Sequence, residues 1–216
     1  MQAGIAMGNL ASAIGVQSGE AALVSELKAG SEAAFALLIA QYHQPLYSVI
    51  ARSLQDPSEA ADITQEVFLK VFRGIGSFHG DASLKTWLYR IALHEASNRR
   101  RWWSRHKQQE LTIDSPLGES DDGSESLCLG DTLTDNGSSP YEQAAQQETK
   151  LRVEAALQKL PENFRTVVVL REIEGFAYDE IAEILDIHIG TVKSRLMRGR
   201  AALKGYLQEP LGGPSR

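Results

Sequence analysis

The chain is short of several things that would otherwise direct its reading. It has one cysteine, Cys128, so it forms no internal disulfide, and a lone thiol does not by itself make a metal site. Its flanks, Ser126, Leu127, Leu129 and Gly130, bring neither a histidine nor another base to it, so the thiol reads as structural or incidental. No run approaches the roughly 20 apolar residues that a bilayer-spanning helix needs. Residues 1–19 carry no Lys or Arg and so lack the charged start of a secretory signal. These absences lead to the expectation of a cytoplasmic protein. Strand periodicity is also missing: Thr166 to Leu170 is β-branched, but it sits inside a helical pattern.

Positive charge is absent from a long internal stretch. Between Gln108 and Thr149 there is no Lys or Arg, against ten acids: Glu110, Asp114, Glu119, Asp121, Asp122, Glu125, Asp131, Asp135, Glu142 and Glu148. The 216-residue chain has a net charge of −6, so those ten leave the remainder at +4. Charge is segregated along the sequence, and each domain needs its own reading. From Gln108 to Ser139 the chain is rich in Ser, Gly and Asp, holds Pro116 and has few large apolar residues. Such a composition cannot bury enough apolar surface to fold alone and reads as a flexible acidic linker. The expected organisation is a tail over 1–19, a domain over 20–107, the linker over 108–139, a second domain over 140–208 and a tail over 209–216. Met7 offers an alternative start.

What is present is helical throughout, giving an all-α class of two small helical bundles. In the first domain, helices are expected from Ala21 to Lys28 and from Ser31 to Arg52, the latter with Phe35, Leu38, Ile39, Tyr42, Leu46, Val49 and Ile50 spaced for burial. Asp56 as N-cap and Pro57 at the first helical position start a helix running to about Arg73, with Ile63, Val67, Phe68, Val71 and Phe72 as its apolar stripe. A loop rich in glycine (Gly74, Gly76, Gly80) precedes a long helix from about Ser83 to His106. In the second domain, helices over Tyr141 to Lys159 and Pro161 to Glu174 end at Gly175, a helix stop.

Two places carry chemistry. The first is Phe176 to Lys204, which reads as two short helices joined by a tight turn. Tyr178, Ile181, Ala182 and Leu185 share one face of the first helix; Val192, Leu196 and Leu203 share one face of the second. Thr191, Ser194, Arg195 and Arg198 lie on the opposite side, and Lys193, Arg195, Arg198, Arg200 and Lys204 run without an acid until Glu209. Gly190 is expected where the chain turns or two helices approach closely. This is a helix-turn-helix pattern, whose second helix suits the major groove of DNA. The second place is the long helix of the first domain. Its early part carries Leu84, Trp87, Leu88 and Ile91 on one face with Tyr89 beside them, and its end is a basic run with Trp102 and Trp103 interleaved, Arg99 to Lys107. His94, Asn98, Arg101 and Arg105, spaced by four, three and four, stack into one ridge. Cations neutralise phosphates and aromatics stack on unpaired bases, so this ridge also points to nucleic acid.

Four blocks then carry a resemblance: Ala61-Asp-Ile-Thr-Gln-Glu-Val-Phe-Leu-Lys-Val-Phe72; Leu84-Lys-Thr-Trp-Leu-Tyr-Arg-Ile-Ala92; Leu160-Pro161 with Phe164-Arg-Thr-Val-Val-Val-Leu-Arg171; and Tyr178-Asp-Glu-Ile-Ala-Glu-Ile-Leu185 with Gly190-Thr-Val-Lys-Ser-Arg-Leu-Met-Arg-Gly-Arg200. In these the chain resembles the sigma-70 family of bacterial sigma factors, of the small two-domain extracytoplasmic-function (ECF) type. The resemblance covers both domains and implies transcription initiation without catalysis by this chain, with no cofactor and no small-molecule substrate. It implies docking on the clamp helices of the largest subunit of core RNA polymerase through Asp62, Gln65, Glu66, Leu69 and Arg73, with the flap of the second subunit as a further contact. It places Trp87, His94, Asn98, Arg101 and Arg105 at the −10 region of promoter DNA, and Thr191, Lys193, Ser194, Arg195 and Arg198 at −35. Family members are often held inactive by an anti-sigma factor, commonly membrane-tied, whereas this chain itself is not expected to insert into a membrane. It departs from the pattern at Ala177, where relatives usually carry a capping Ser, and at His188, a spot more often Ser or Pro. A rival reading, a stand-alone regulator binding duplex DNA, leaves the 61–73 surface without a role. A metal-dependent nuclease would need carboxylates converging on one site, and the acids here are scattered.

Overall fold

The computed structural model describes residues 19–54, 57–110 and 140–208, and the regular structure among them is helical. In chain order the helices are α1 (19–28), α2 (Glu32–Ser53), α3 (Ala60–Gly74), α4 (Leu84–Glu110), α5 (Pro140–Lys159), α6 (Glu162–Val168), α7 (Tyr178–Leu185) and α8 (Ile189–Gln208). Most of the expected linker, with Cys128, lies outside the described residues, although Gln108 to Glu110 continue α4.

Local chemistry explains most boundaries. Gly30, at φ 78°, closes the turn after α1, and the Ser31 side chain then caps α2 by accepting from the Ala34 N–H at 3.3 Å. Ser83 opens α4 in the same way, accepting from the Thr86 N–H at 3.0 Å, and the carboxylate of Glu20 on α1 accepts from the Leu84 N–H at 2.7 Å. A carboxylate at a helix N-terminus satisfies an orphan donor and meets the positive end of the macrodipole. Pro57 does not open α3 directly: it starts a short 3-10 turn, Pro57–Glu59, which leads into α3 at Ala60, a common way to begin a helix. Asp56, the expected cap, lies outside the described residues.

The first bundle packs α2, α3 and α4 around Leu38, Leu46, Val49 and Ile50, then Ile63, Val67 and Val71, then Leu84, Leu88 and Ala92, all buried. Phe72, expected in the apolar stripe, is instead 60% exposed. Ile63, Val67 and Val71 at four-residue spacing already fill the seam of α3, and the next residue points about 100° away from it. Phe72 covers part of its ring on Phe35, centroid to centroid 4.8 Å.

In the second bundle α6 continues into a π turn, Val169–Ile173, which ends at Glu174; Gly175 follows at φ 77°. The tight turn between α7 and α8 is made by Asp186, at φ 51°, rather than by Gly190. The close helix approach is likewise elsewhere. A side chain added at Gly199 on α8 would meet Val168 Cγ2 at 2.7 Å, so the missing Cβ lets α8 lie against α6.

The two bundles meet. Tyr89 of α4 is fully buried with its ring edge-on to Phe176, centroids 4.8 Å apart, and its hydroxyl donates to the Glu174 carboxylate. Lys85 Nζ donates to the Glu174 carbonyl at 2.7 Å and lies 4.4 Å from the centre of the Phe176 ring. Thr86 donates to Glu180 at 3.3 Å. On the other flank Arg52 holds Glu154 through two guanidinium nitrogens, Arg165 donates to the Arg52 carbonyl at 2.9 Å, and Arg100 pairs with Glu162.

Candidate nucleic-acid interface

The α4 ridge is a connected row of side chains. Arg101 donates to Asn98 Oδ1 at 2.7 Å, the Asn98 amide lies 3.1 Å from His94 Nδ1, and Arg105 Nε donates to the Arg101 carbonyl at 3.2 Å. The four residues grouped by spacing are therefore brought together. Trp87 stands apart from them, half-buried, tilted against Phe78 at 5.2 Å and over Gly74. Further along, Trp102 and Trp103 are 47% and 44% exposed and meet edge to face; the Trp103 indole N–H donates to Glu59 at 2.8 Å. Sequence reasoning saw these two tryptophans as aromatics in a basic run but did not number them among the site residues. Their exposure was decided by α4 reaching past the end of α3.

On α8, Lys193 and Arg198 are exposed, and Thr191, Ser194 and Arg195 half-buried. Ser194 donates back to the Thr191 carbonyl at 3.0 Å, which ties its hydroxyl to the helix. Arg200 is engaged by Glu172, at 2.8 and 2.5 Å, and so contributes less to the open basic face. His188 accepts from the Gly190 N–H through Nδ1 at 3.1 Å and thereby caps α8. Ala177 has no side chain to cap α7, but Glu180 reaches back to accept from its N–H at 2.8 Å, half of a capping box.

All five α3 residues grouped as a docking face, Asp62, Gln65, Glu66, Leu69 and Arg73, are exposed. Glu66 is engaged by Arg99 of α4 at 3.1 Å. Phe72 and Ile39, 60% and 42% exposed, add an apolar component that the sequence reading had assigned to the core. The three-residue step from Leu69 to Phe72 was the signal, since it puts both on adjoining lines of α3.

A cleft of about 820 Å³ lies between the bundles. Trp87, Arg90 and His94 line it from α4, and Asp186 and Arg195 from the helix-turn-helix. Both basic surfaces thus border one space. Among the described residues no group of three or more His, Cys, Asp or Glu side chains is placed to hold a metal, and no helix is long and apolar enough to cross a membrane.

A helix-turn-helix with open cations on its second helix, beside a bundle bearing a polar ridge and exposed aromatics, defines a DNA-binding protein. Comparison with known proteins specifies the kind. Residues 38–105 match the family model for sigma-70 region 2, and residues 150–203 that for sigma-70 region 4. RNA polymerase sigma-H factor of Pseudomonas aeruginosa is 36% identical over 186 residues, covering 86% of this chain and 92% of that protein. The ECF RNA polymerase sigma factor SigW of Bacillus subtilis is 33% identical over 186 residues, covering 86% and 95%. Among solved structures, the sigma factor RpoE of Bartonella quintana, in complex with the anti-sigma factor NepR, shares the fold with a TM-score of 0.60 at 23% identity, covering 81% of this chain and 96% of that one. The chain belongs to the sigma-70 family of RNA polymerase sigma factors, in its ECF group. Its work is promoter recognition and transcription initiation, with core RNA polymerase and promoter DNA as partners.

Proposed function

We propose a division of labour in which α3 finds polymerase, the α4 ridge meets the −10 region as its strands part, and α8 enters the major groove at −35. The observation that carries it is the contrast between surfaces: α3 exposes acids beside Arg73 and the apolar Leu69 and Phe72, a mixed surface that suits a protein better than phosphate, whereas α4 and α8 expose cations and hydrogen-bonding groups. The α4 ridge offers amide, imidazole and guanidinium groups able to hold bases once they leave the stack. The α8 face needs only to position the complex on intact duplex. In this reading the chain contributes binding and no catalytic step, and it acts in the cytoplasm, where polymerase works.

The same reading requires the bundles to part. Elements at −10 and −35 are roughly 25 base pairs apart, or roughly 85 Å of duplex at about 3.4 Å per pair. His94 and Arg195 border one cleft in the closed form, so both elements cannot be held at once until the Tyr89–Glu174 and Lys85–Phe176 contacts open. Polymerase, binding both bundles, would supply the differential affinity that such a shift needs. The direct test is multi-round transcription by purified core polymerase with this chain on a promoter library. Promoter-dependent transcripts are expected; their absence, with no co-purification of chain and core, would refute the reading.

A further inference from the structure

Among the described residues, Glu95 is the one charged side chain that is buried, at 9% exposed. Burying a carboxylate costs stability, and an apolar side chain of similar volume would occupy the wall of the bundle without that cost. Its partners suggest what the charge is for. Lys70 Nζ of α3 lies 2.5 Å from Oε2, and His94 Nδ1 lies 3.3 Å from Oε1. Burial pushes the Glu95 carboxyl up, but the hydrogen bonds and charges of Lys70 and His94 outweigh it and hold the group below its ordinary value. It is an anion anchored at one end to α3 and touching the ridge at the other.

The ridge needs such an anchor. The His94 side chain is 66% exposed, and among the described residues its ring is held by polar contact with Glu95 and the Asn98 amide. Nδ1 lies within reach of both Glu95 and the Asn98 amide and serves one at a time. Carrying a proton, it donates to Glu95; without one, it accepts from the Asn98 N–H. A carboxylate only accepts, so its presence favours the proton on Nδ1 and leaves Nε2 as the ring nitrogen offered to DNA. With the proton on Nδ1, the Asn98 N–H is released from the ring, while Asn98 Oδ1 still accepts from Arg101 at 2.7 Å.

We propose that Glu95, held by Lys70, is a positioning residue for promoter reading: it orients the His94 ring and sets whether the Asn98 amide is spent on that ring or offered to an unpaired base. The proposal rests on the reading that this ridge meets the −10 strand. It adds two residues, Glu95 and Lys70, that touch no DNA themselves and act through His94 and Asn98.

The test compares wild-type holoenzyme with Glu95→Gln and with a Glu95→Leu/Lys70→Leu double variant, which removes the pair without stranding a buried charge. Each transcribes a library randomised at −10 and −35, core affinity is titrated in parallel, and circular dichroism checks the fold. Both variants are expected to bind core as wild type does and to keep their −35 preferences. Base preference at one or two −10 positions is expected to fall about tenfold, the discrimination that one good base contact supplies. Transcription falling by one factor on every promoter, with preferences preserved, would make Glu95 merely structural and overturn the proposal, as would no change at all. Should the double variant fail to fold, Glu95→Gln alone decides. Wild-type holoenzyme without promoter-dependent transcripts would overturn the broader reading, and this one with it.

Discussion

The basic run of α4 and the basic face of α8 look alike in sequence and differ in how their charges are employed. On α4, Arg99 engages Glu66, Arg100 engages Glu162, Arg101 engages Asn98, and Arg105 bonds the backbone of Arg101. On α8, the side chains of Lys193, Arg195 and Arg198 make no hydrogen bond or ion pair among the described residues. A preorganised row loses little entropy when it meets its target and discriminates by geometry; unengaged cations act mainly by releasing counterions from phosphate. In the proposed division of labour the two helices would then take different tasks, reading and anchoring, although composition alone would have given them the same one.

The largest effect that bears on this contrast comes from a third surface. Glu66→Arg together with Leu69→Arg should abolish core-polymerase binding by making the α3 face cationic and removing an apolar contact. The fold should survive, because exposed ion pairs such as Glu66 with Arg99 contribute only about 0–1 kcal/mol. Retained core binding in a pull-down, with native circular dichroism, would show that polymerase docks elsewhere.

Next in size is Tyr89→Phe. Burial, then the Glu174 hydrogen bond and charge, push the Tyr89 hydroxyl far above its ordinary value, so it stays a donor at any working pH. A hydrogen bond to a charged group contributes about 1.5–3 kcal/mol, so losing it should weaken the closed form by about tenfold or more. Affinity of the polymerase-free chain for −35 duplex should rise accordingly, and small-angle scattering should report expansion. If neither moves, contact between the bundles does not restrain DNA binding.

Smaller again is the charge test that separates the two basic helices. Lys193→Ala and Arg198→Ala should each lower the slope of log affinity against log salt by about 1 and weaken all promoters alike. Arg101→Ala, which cuts the ridge at Asn98, should shift base preference more than salt slope. Equal behaviour of the two sets would erase the distinction between anchoring and reading.

Much of this was legible in the residues, and the limits have physical causes. Spacing by four, three and four foretold the ridge of His94, Asn98, Arg101 and Arg105, because contacts along one helix follow from its period alone. The burial of Glu95 and its bond to Lys70 were not foretold, since they depend on how α3 crosses α4. Tyr89 was noted beside an apolar face, but its partners Phe176 and Glu174 come from a bundle more than 80 positions later. Phe72 was misplaced because an apolar stripe drawn from composition is wider than the seam that Ile63, Val67 and Val71 fill. Gly190 drew the turn because glycine tolerates positive φ, yet Asp186 makes it, as a short polar side chain can.

The smallest effect is a gain. Ala177 sits at the N-cap of α7 with φ −70° and ψ 163°, the extended backbone of a capping residue, but it offers no oxygen to the first turn. Glu180 already supplies the return bond to the Ala177 N–H, at 2.8 Å, and its other oxygen accepts from Thr86 across the bundles. Ala177→Ser would complete the capping box without moving Glu180, and a cap of this kind contributes about 1 kcal/mol. Thermal unfolding should show the helix-turn-helix stabilised by about that much, with −35 preference unchanged, because residue 177 lies on the α7 side, away from the exposed cations of α8. If unfolding instead stays the same while the −35 affinity of the free chain changes, the serine has competed with Thr86 for Glu180. Region 4 stability would then be linked to bundle contact rather than to the helix cap.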